Sequence, residues 1–327
     1  MKGCVTIEDL INSLKNHKAI FNTSDSDTVD DIVERLDFIN QSFIKDEIGY
    51  KLVDSPEGVK KSVSSEAQKQ VRPNKNVPTA EQSKQYNEQA EIGNFIHDVS
   101  EEMMREVLSL IDGKSVRESL ALLKNITLGE LSLEGVKKAE LEYGRTVNRR
   151  DDSMNNTLLG VIQLLQEVYR QQNFINNKLK INATPIIRLE QKVIDAKKDI
   201  GGTIDFLAIL SDKSAIIRDY KTKIPKKGVL DEFGNLVSLK KLFTKTDNKK
   251  YNFQIGEYGK ILRSSLGITA IRSSGLVPVL LDVPFNKGEY SKVVSGIKFP
   301  GQDKLLEQVR PFAEKTGFNT LDEFIQN

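Results

Sequence analysis

Apolar residues recur every three or four positions at two places near the N-terminus. This spacing predicts helices over residues 6–21 and over about 28–43. Residues 54–89 are rich in Ser, Lys, Gln, Asn and Pro and hold few apolar residues, which predicts a polar linker or loose arm. The pattern therefore divides the chain into an N-terminal helical region (1–53), this arm and a main domain (90–327).

The main domain changes from helical spacing to strand-like runs and back again. Helices are predicted over 91–110 and 156–171. Three apolar runs with short turns between them then predict consecutive strands, TPIIRLEQKVI (184–194), GGTIDFLAIL (201–210) and SAIIRDYKT (214–222). The later predicted elements are a helix (251–266), a strand (276–283), a polar hairpin and closing helices near 302–325. The order of helix, three strands, helix and strand indicates an α/β domain with helical additions.

Composition narrows the class of protein. The chain has 327 residues, with 38% hydrophobic and 29% charged residues, as expected for a soluble globular protein. Its net charge is only +2, so a nucleic-acid surface would require local clustering of charge. The single cysteine, Cys4, excludes a disulfide framework and a four-thiolate iron–sulfur cluster. No apolar run approaches the ~18 residues of a membrane span, and we expect a cytoplasmic location.

A charged motif, DYKT, closes the third strand of the predicted trio. Lys221 follows Asp219 by two residues, so the two side chains point to the same face of the strand. One interpretation is a metal-binding carboxylate beside a catalytic ammonium, and the other is a surface salt bridge. Four further Asp/Glu-x-Lys triplets occur in the chain, at 112–114, 190–192, 195–197 and 247–249. The motif alone therefore does not distinguish the two interpretations.

Asp205 lies in the strand that precedes Asp219. If the two strands form a hairpin through the turn SDKS, the two carboxylates can be cross-strand neighbours. Carboxylates that close repel each other unless a cation neutralises them, and Mg²⁺ prefers oxygen ligands. Gly201 and Gly202 permit close backbone approach just before Asp205.

Two helical pairs complete the set of candidate residues. His97 and Glu101 are four residues apart on one predicted helix, and Gln254 and Tyr258 have the same spacing on another.

Taken together, the motifs resemble the RecB-like branch of the PD-(D/E)XK nuclease superfamily. The resemblance covers roughly residues 91–285. Its motifs, in chain order, are G-x-x-x-H-x-x-x-E (93–101), Glu190, G-x-x-D (202–205), D-Y-K-T (219–222) and Q-x-x-x-Y (254–258). It implies the αβββαβ core of that family, with a mixed central sheet flanked by helices.

The resemblance implies a role for each matched position. His97, Asp205 and Asp219 would be metal ligands, with the backbone carbonyl of Tyr220 completing the coordination. Lys221 would position the attacking water and stabilise the transition state. The implied cofactor is Mg²⁺ or Mn²⁺, and the implied reaction is hydrolysis of DNA phosphodiester bonds.

Other matched positions have supporting roles under the same resemblance. Glu190 corresponds to an acidic position of the family and is a further catalytic candidate. Gln254 and Tyr258 would hold the DNA strand or support the active site. Glu101 would fix the His97 ring, and Thr222 would support the strand end or a phosphate.

Departures from the family restrict the function. Cys4 alone cannot hold the iron–sulfur cluster of many relatives. The DGKS segment (112–115) lacks the upstream glycine of an ATP-binding loop, since position 108 is Leu. The chain is therefore expected to act without ATP, as a stand-alone nuclease or as the nuclease subunit of a complex.

Lysine is concentrated after the DYKT motif. Residues 221–250 hold nine lysines against three acids, and Lys223, Lys226 and Lys227 follow the motif directly. The alternatives are a DNA-guiding loop and a solvated loop. Phe243 and Tyr251 are candidates either to stack on bases or to pack in a core.

The sequence favours an exonuclease or end-processing enzyme of DNA recombination, repair or degradation, and its composition would suit a phage protein in a host cytoplasm. The alternatives are an inactive nuclease-fold protein that binds DNA or has a structural role, and a site-specific endonuclease. DNA ends are the expected partner. Residues 1–50 could dock a helicase, a recombinase or a single-strand-binding protein. Deletion of residues 1–88 is expected to leave cleavage intact.

Overall fold

The structure of the chain, a computed structural model, describes residue 23 and residues 26–45, 49–53, 58–71, 80–144, 152–195, 197–223 and 245–280. Several sequence predictions lie outside these residues. They are the helix over 6–21, the lysine-rich loop over 224–244 with Phe243, and the polar hairpin and helices that follow residue 280.

The described helices and strands alternate along the chain in six groups, three of helices and three of strands. The helices are α1 (Val29–Ser42), α2 (Val63–Val71), α3 (Ala80–Ile111), α4 (Val116–Leu122), α5 (Glu134–Tyr143), α6 (Asp152–Leu179) and α7 (Lys245–Leu266). The strands are β1 (Phe43–Lys45), β2 (Tyr50–Leu52), β3 (Gly58–Val59), β4 (Lys61–Ser62), β5 (Ile186–Asp195), β6 (Ile200–Ile209), β7 (Ser214–Lys223) and β8 (Ala270–Leu280). The order α6–β5–β6–β7–α7–β8 confirms the predicted helix, three strands, helix and strand.

The chain forms two compact units, each assembled from three segments. Unit 1 comprises Met1–Pro73, Ile186–Ile217 and Lys249–Ser273. Unit 2 comprises Asn74–Pro185, Arg218–Asn248 and Ser274–Asn327. Strand β7 contributes its first four residues to unit 1 and the rest to unit 2.

A mixed five-stranded sheet lies mainly in unit 1, which holds β4, β5 and β6 and the first four residues of both β7 and β8. Its strand order is β4-β6-β7-β8, and β5 pairs with β6. The β4–β6 pair is parallel, whereas the β5–β6 pair is antiparallel. Helices α1 and α7 pack on the sheet through one apolar core, to which Leu36, Ile204 and Ile261 belong. Unit 1 is therefore an α/β structure with a mixed sheet flanked by helices.

Helix α1 begins as the sequence predicts. The Thr28 hydroxyl accepts a hydrogen bond from the Asp31 backbone N–H, and the Asp31 carboxylate accepts one from the Thr28 N–H. This reciprocal cap satisfies two backbone donors that have no partner within the helix. The apolar stripe then buries Ile32, Leu36 and Ile39 completely.

The prediction that residues 54–89 form a polar linker is wrong for the described part of that segment. Residues 58–71 form β3, β4 and α2, and β4 joins the main sheet beside β6. Helix α3 already begins at Ala80. The physical reason is that a few well-spaced apolar side chains, Val59, Val63 and Ala67, are buried in spite of their polar neighbours. The 1–53 region is likewise part of unit 1 rather than a separate domain.

Unit 2 contains the long helices α3 and α6. Helix α3 packs against both α5 and α6, and α4 packs against α6. Ser115 caps the start of helix α4: its hydroxyl accepts from the Glu118 N–H, and the Glu118 carboxylate accepts from the Ser115 N–H. Among the described residues, no helix combines the length and the apolar character needed to cross a bilayer.

Candidate active site

Glu190 and Asp205 face each other across strands β5 and β6. The flanking pairs of the ladder are Leu189 with Phe206 and Gln191 with Ile204. In this register Glu190 is opposite Asp205. One carboxylate oxygen of each residue lies within 4.8 Å of the other. The hairpin therefore brings two acidic side chains together in unit 1.

The backbone of Glu190 departs from strand geometry. Its φ is +50°, in the left-handed region, although it lies in the middle of a ten-residue strand. The other non-glycine residues with positive φ in the described chain lie at turns or helix ends: Leu133, Lys180, Asp199 and Lys213. Such a conformation costs roughly 1–3 kcal/mol for a residue with a Cβ and is typical of functional sites.

The donor set of this pair fits a hard divalent cation. Both ligands are carboxylates, both side chains are half-buried, and two like charges at this separation raise each other's energy. Mg²⁺ and Mn²⁺ bind through one or two carboxylates and keep several waters. Glu190 and Asp205 are therefore residues that could hold such an ion.

A hydroxyl pair lies on the same strand face as Asp205. Thr203 precedes Asp205 by two residues, and its hydroxyl oxygen lies 2.8 Å from the phenol oxygen of Tyr50. Burial raises the pKa of Tyr50; the hydrogen bond with Thr203 opposes this, and the negative charges of Glu190 and Asp205 add to it. The Tyr50 phenol therefore stays protonated above its ordinary range.

The two glycines before Asp205 make room for aromatic rings. A Cβ on Gly202 would lie 2.4 Å from Cε1 of Tyr258 on α7, and a Cβ on Gly201 would lie 2.9 Å from Cδ2 of Tyr50. The predicted close approach at these glycines is confirmed. The approaching groups are side chains of unit 1.

Gln254 and Tyr258 form the predicted helical pair on α7. The Gln254 side-chain amide donates to the Tyr258 phenol oxygen at 3.2 Å. Both side chains are buried, at 6% and 2% exposure. The two predicted roles, holding the DNA strand or supporting the active site, stay predictions. Tyr251 is also buried, which favours core packing over base stacking for this residue.

Asp219 and Lys221 form an ion pair at the end of β7. The Lys221 ammonium lies 2.5 Å from Oδ2 of Asp219, so the two side chains share a face as predicted. The Asp219 side chain is only 1% exposed, and that of Lys221 is 23% exposed. The pair is therefore largely buried rather than a surface salt bridge, and the metal-binding and catalytic roles of the two residues stay predictions.

Arg218 and Tyr220 point away from the Asp219 face of β7. The Arg218 guanidinium donates to both carboxylate oxygens of Glu167 on α6, at 2.8 and 2.6 Å. The Tyr220 ring meets the His97 ring edge-on, with centroids 5.8 Å apart. These contacts hold the end of β7 against the helices of unit 2.

Two of the other Asp/Glu-x-Lys triplets have structural roles. Lys192 donates to the backbone carbonyls of Asn40 and Phe43, at 3.0 and 2.6 Å, and burial lowers its pKa. Asp195 pairs with Lys198 rather than with Lys197, the lysine of its own triplet. The contacts of these two triplets therefore show which partners their lysines and acids bind, which the sequence alone does not show.

His97 lies on α3, in unit 2, with acidic neighbours. Its Nδ1 is 3.8 Å from Oδ1 of Asp98, and Asp98 also accepts a hydrogen bond of 2.7 Å from the Tyr143 phenol. That hydrogen bond raises the pKa of Tyr143 to about 12. Glu101 pairs with Arg105 one turn further along the helix. The role predicted for Glu101, fixing the His97 ring, stays a prediction.

The remaining candidates are distributed as follows. Asp205 belongs to unit 1, whereas His97, Asp219, Tyr220 and Lys221 belong to unit 2. Thr222 and Lys223 are the last residues of β7, and Lys226 and Lys227 lie outside the described residues. The metal-ligand, phosphate and DNA-binding roles of these residues stay predictions.

Sequence reasoning missed the residues that surround the carboxylate pair. Thr203 carried a usable signal, because it precedes Asp205 by two residues and so shares its strand face. Tyr50 and Asn40 carried none, since more than 140 positions separate them from the strands they bind.

A comparison with protein-family models, curated proteins and solved structures finds no match to the chain.

Proposed function

We propose that the chain is a metal-dependent deoxyribonuclease that hydrolyses phosphodiester bonds. The observation that carries the proposal is the approach of the Glu190 and Asp205 carboxylates, within 4.8 Å, where the two residues face each other across β5 and β6. The strained backbone of Glu190 supports it, because such strain is maintained where a side chain must be aimed. The sequence resemblance independently includes both residues.

Glu190 and Asp205 would hold the cation, Mg²⁺ or Mn²⁺. A divalent cation supplies Lewis acidity at the phosphate oxygens and acidifies a water molecule. The protein's own contribution begins with orientation: the β5–β6 ladder fixes the two carboxylates, and the Tyr258 ring under Gly202 buttresses the strand.

The buried charge pair of the DYKT motif is a second observation that supports the proposal. Lys221 carries a fixed ammonium 2.5 Å from Asp219, in a partly buried setting where a charge is less screened than in water. The resemblance gives this lysine the tasks of positioning the attacking water and stabilising negative charge on phosphorus. It gives His97, Asp219 and Tyr220 the role of metal ligands. The preference for DNA, and for ends over internal sites, rests on the resemblance alone.

A cleavage assay tests the proposal. End-labelled linear single- and double-stranded DNA and closed circular DNA are incubated with Mg²⁺, Mn²⁺ or EDTA. We expect metal-dependent loss of linear DNA that Glu190→Gln, Asp205→Asn and Lys221→Ala each abolish. Lys197→Ala is the matched control, because Lys197 belongs to the Asp-x-Lys triplet at the end of β5 and is exposed. An intact circle would identify an exonuclease.

Two results would overturn the proposal. One is the absence of cleavage by folded wild-type protein with both metals, which favours the inactive, DNA-binding alternative if a gel shift shows binding. The other is full cleavage by Glu190→Gln and Asp205→Asn, which would show that the carboxylate pair takes no part in hydrolysis.

A further inference from the structure

Asn40, near the end of α1, binds the backbone of β5 directly after Glu190. Its Oδ1 accepts a hydrogen bond of 2.9 Å from the Lys192 backbone N–H and one of 3.1 Å from the Gln191 side-chain amide. Its Nδ2 donates to Oε1 of Gln191 at 3.3 Å. The two side-chain amides thus form a reciprocal pair, and one of them caps an N–H of the strand.

Gln191 extends this contact into the core. Its side chain is fully buried, and its amide nitrogen also lies 3.2 Å from the Leu36 carbonyl oxygen and 2.7 Å from the Lys192 carbonyl oxygen, so its two N–H groups are shared among three acceptors. A buried amide whose donors and acceptor are satisfied in this way is rigid, because any rotation leaves a polar atom unsatisfied. The chain direction on the C-terminal side of Glu190 is therefore fixed by α1.

The left-handed backbone conformation of Glu190 requires contacts on either side that hold it in place. A residue with a Cβ leaves this region unless the surrounding structure holds it there. The ladder with β6 resumes on both sides of Glu190, at Leu189 and at Gln191, and on the C-terminal side Asn40 holds Gln191 and Lys192 in addition. Release of the Asn40 contact would let the peptide at Glu190 relax and turn its carboxylate away from Asp205.

We propose that Asn40 is a positioning residue that aims the Glu190 carboxylate at Asp205 through the backbone of Gln191 and Lys192. The proposal rests on the proposed function in taking the carboxylate pair as a metal site. It gives the N-terminal segment a part in metal binding, although that segment contributes no ligand to the pair.

Calorimetric titration of the full chain with Mn²⁺ tests the proposal without requiring catalysis. Glu190→Gln identifies the heat that belongs to the carboxylate pair. We expect Asn40→Ala to weaken this binding by about 10–100-fold, the usual effect of removing a partner outside the ligand shell. Asn40→Asp keeps an oxygen that accepts from the Lys192 N–H, and we expect it to bind Mn²⁺ close to wild type.

Asp37→Ala is the matched control. Asp37 lies on the same helix and pairs with Arg188 of the same strand at 2.9 Å, but it makes this contact before Glu190 rather than after it. We expect its Mn²⁺ affinity to equal that of the wild type. Thermal unfolding of each variant establishes that the protein is folded at the titration temperature. Asn40→Ser, whose side chain is too short to reach β5, replaces Asn40→Ala if the latter is unfolded.

The outcomes separate the two proposals. Equal Mn²⁺ affinity in the wild type and in the folded Asn40 variants overturns the positioning role and leaves the nuclease proposal standing. Weakened binding in Asn40→Ala without any DNA cleavage by the wild type supports the positioning role and overturns the nuclease. A wild type that binds no Mn²⁺ overturns both.

Discussion

The phenol oxygen of Tyr50 lies 2.8 Å from the hydroxyl oxygen of Thr203. Tyr50 begins β2 in the N-terminal segment, and Thr203 is on β6, two residues before Asp205. The Tyr50 ring occupies the space that a side chain on Gly201 would fill. The N-terminal segment therefore completes the strand face on which Asp205 lies.

Tyr50→Phe should destabilise the protein modestly, because it keeps the ring and removes the hydroxyl. We expect a loss of about 0.5–1.5 kcal/mol in the free energy of unfolding, the net value of a typical hydrogen bond. Thr203→Val and the double variant complete a thermodynamic cycle, measured by urea unfolding. Additive losses from the two single variants would show that the two hydroxyls are not coupled.

Gly202→Ala should destabilise unit 1, because the added Cβ would lie 2.4 Å from the buried Tyr258 ring. We expect a loss of about 1–3 kcal/mol, as for other overpacked cores. The matched control is Gly256→Ala on α7, where a Cβ would meet nothing within 4 Å. The control should raise stability by about 0.5–1 kcal/mol, since alanine favours a helix. A neutral Gly202→Ala in urea unfolding would contradict the close packing.

Lys221→Met should remove catalysis more than any neighbouring lysine variant. The change keeps the side-chain length but removes the ammonium that lies 2.5 Å from Asp219. We expect the cleavage rate to fall by about 100–1,000-fold, as when a preorganised electrostatic group is lost. Lys197→Met is the control and should cleave at the wild-type rate. A folded Lys221→Met with full activity would leave only a structural role for the pair.

Tyr143 should titrate well above ordinary tyrosines. Its hydrogen bond to Asp98 raises its pKa from 10.0 to about 12, so the stabilisation it gives is complete below pH 10.0 and is lost as the pH rises to about 12. Tyrosinate absorbance reports the ionisation directly, because the chain has no tryptophan. The wild-type curve minus that of Tyr143→Phe should rise near pH 12. A difference curve centred near pH 10 would show that the bond to Asp98 is absent in solution.

The N-terminal segment should be indispensable for folding, contrary to the expectation that residues 1–88 can be deleted. Leu36 is fully buried in the core shared with the sheet of unit 1. We expect Leu36→Ala to cost about 2–5 kcal/mol, as in other large-to-small core changes. Ile44→Ala, at a side chain 39% exposed, should stay within about 0.5 kcal/mol of wild type. Urea unfolding compares the two, and a folded, active 1–88 deletion would contradict the shared core.

The regular elements were predictable because their signals are local. The stripe from Ile32 to Ile39 and the alternation in β5 and β6 follow from spacing alone. The polar arm was not predictable, because burial of Val59 and Val63 depends on strands that lie far away in the sequence. Composition averages over such a segment and hides the few side chains that fix it in place.

The candidate site shows the same contrast between local signals, which the sequence reveals, and tertiary contacts, which it does not. Strand spacing identified Asp205 and the pairing of Asp219 with Lys221, and the family resemblance added Glu190. The sequence did not predict the left-handed backbone of Glu190, because glutamate as a residue type gives no signal for that conformation. The partners Asn40 and Tyr50 are ordinary polar residues in sequence, and only the tertiary fold brings them to β5 and β6.

The contact of Lys192 with the end of α1 bears on the order in which the protein folds. Helix α1 has no basic residue in its last turn, and its terminal carbonyls at Asn40 and Phe43 receive their donor from Lys192, which lies 152 positions beyond Asn40. During synthesis at about 5–20 residues per second, the ribosome delivers that donor roughly 8–30 s after the helix. Until then the apolar stripe of α1 has no sheet to cover it. The nascent helix α1 therefore exposes apolar surface during this interval, and slower translation of the intervening helices would prolong that exposure.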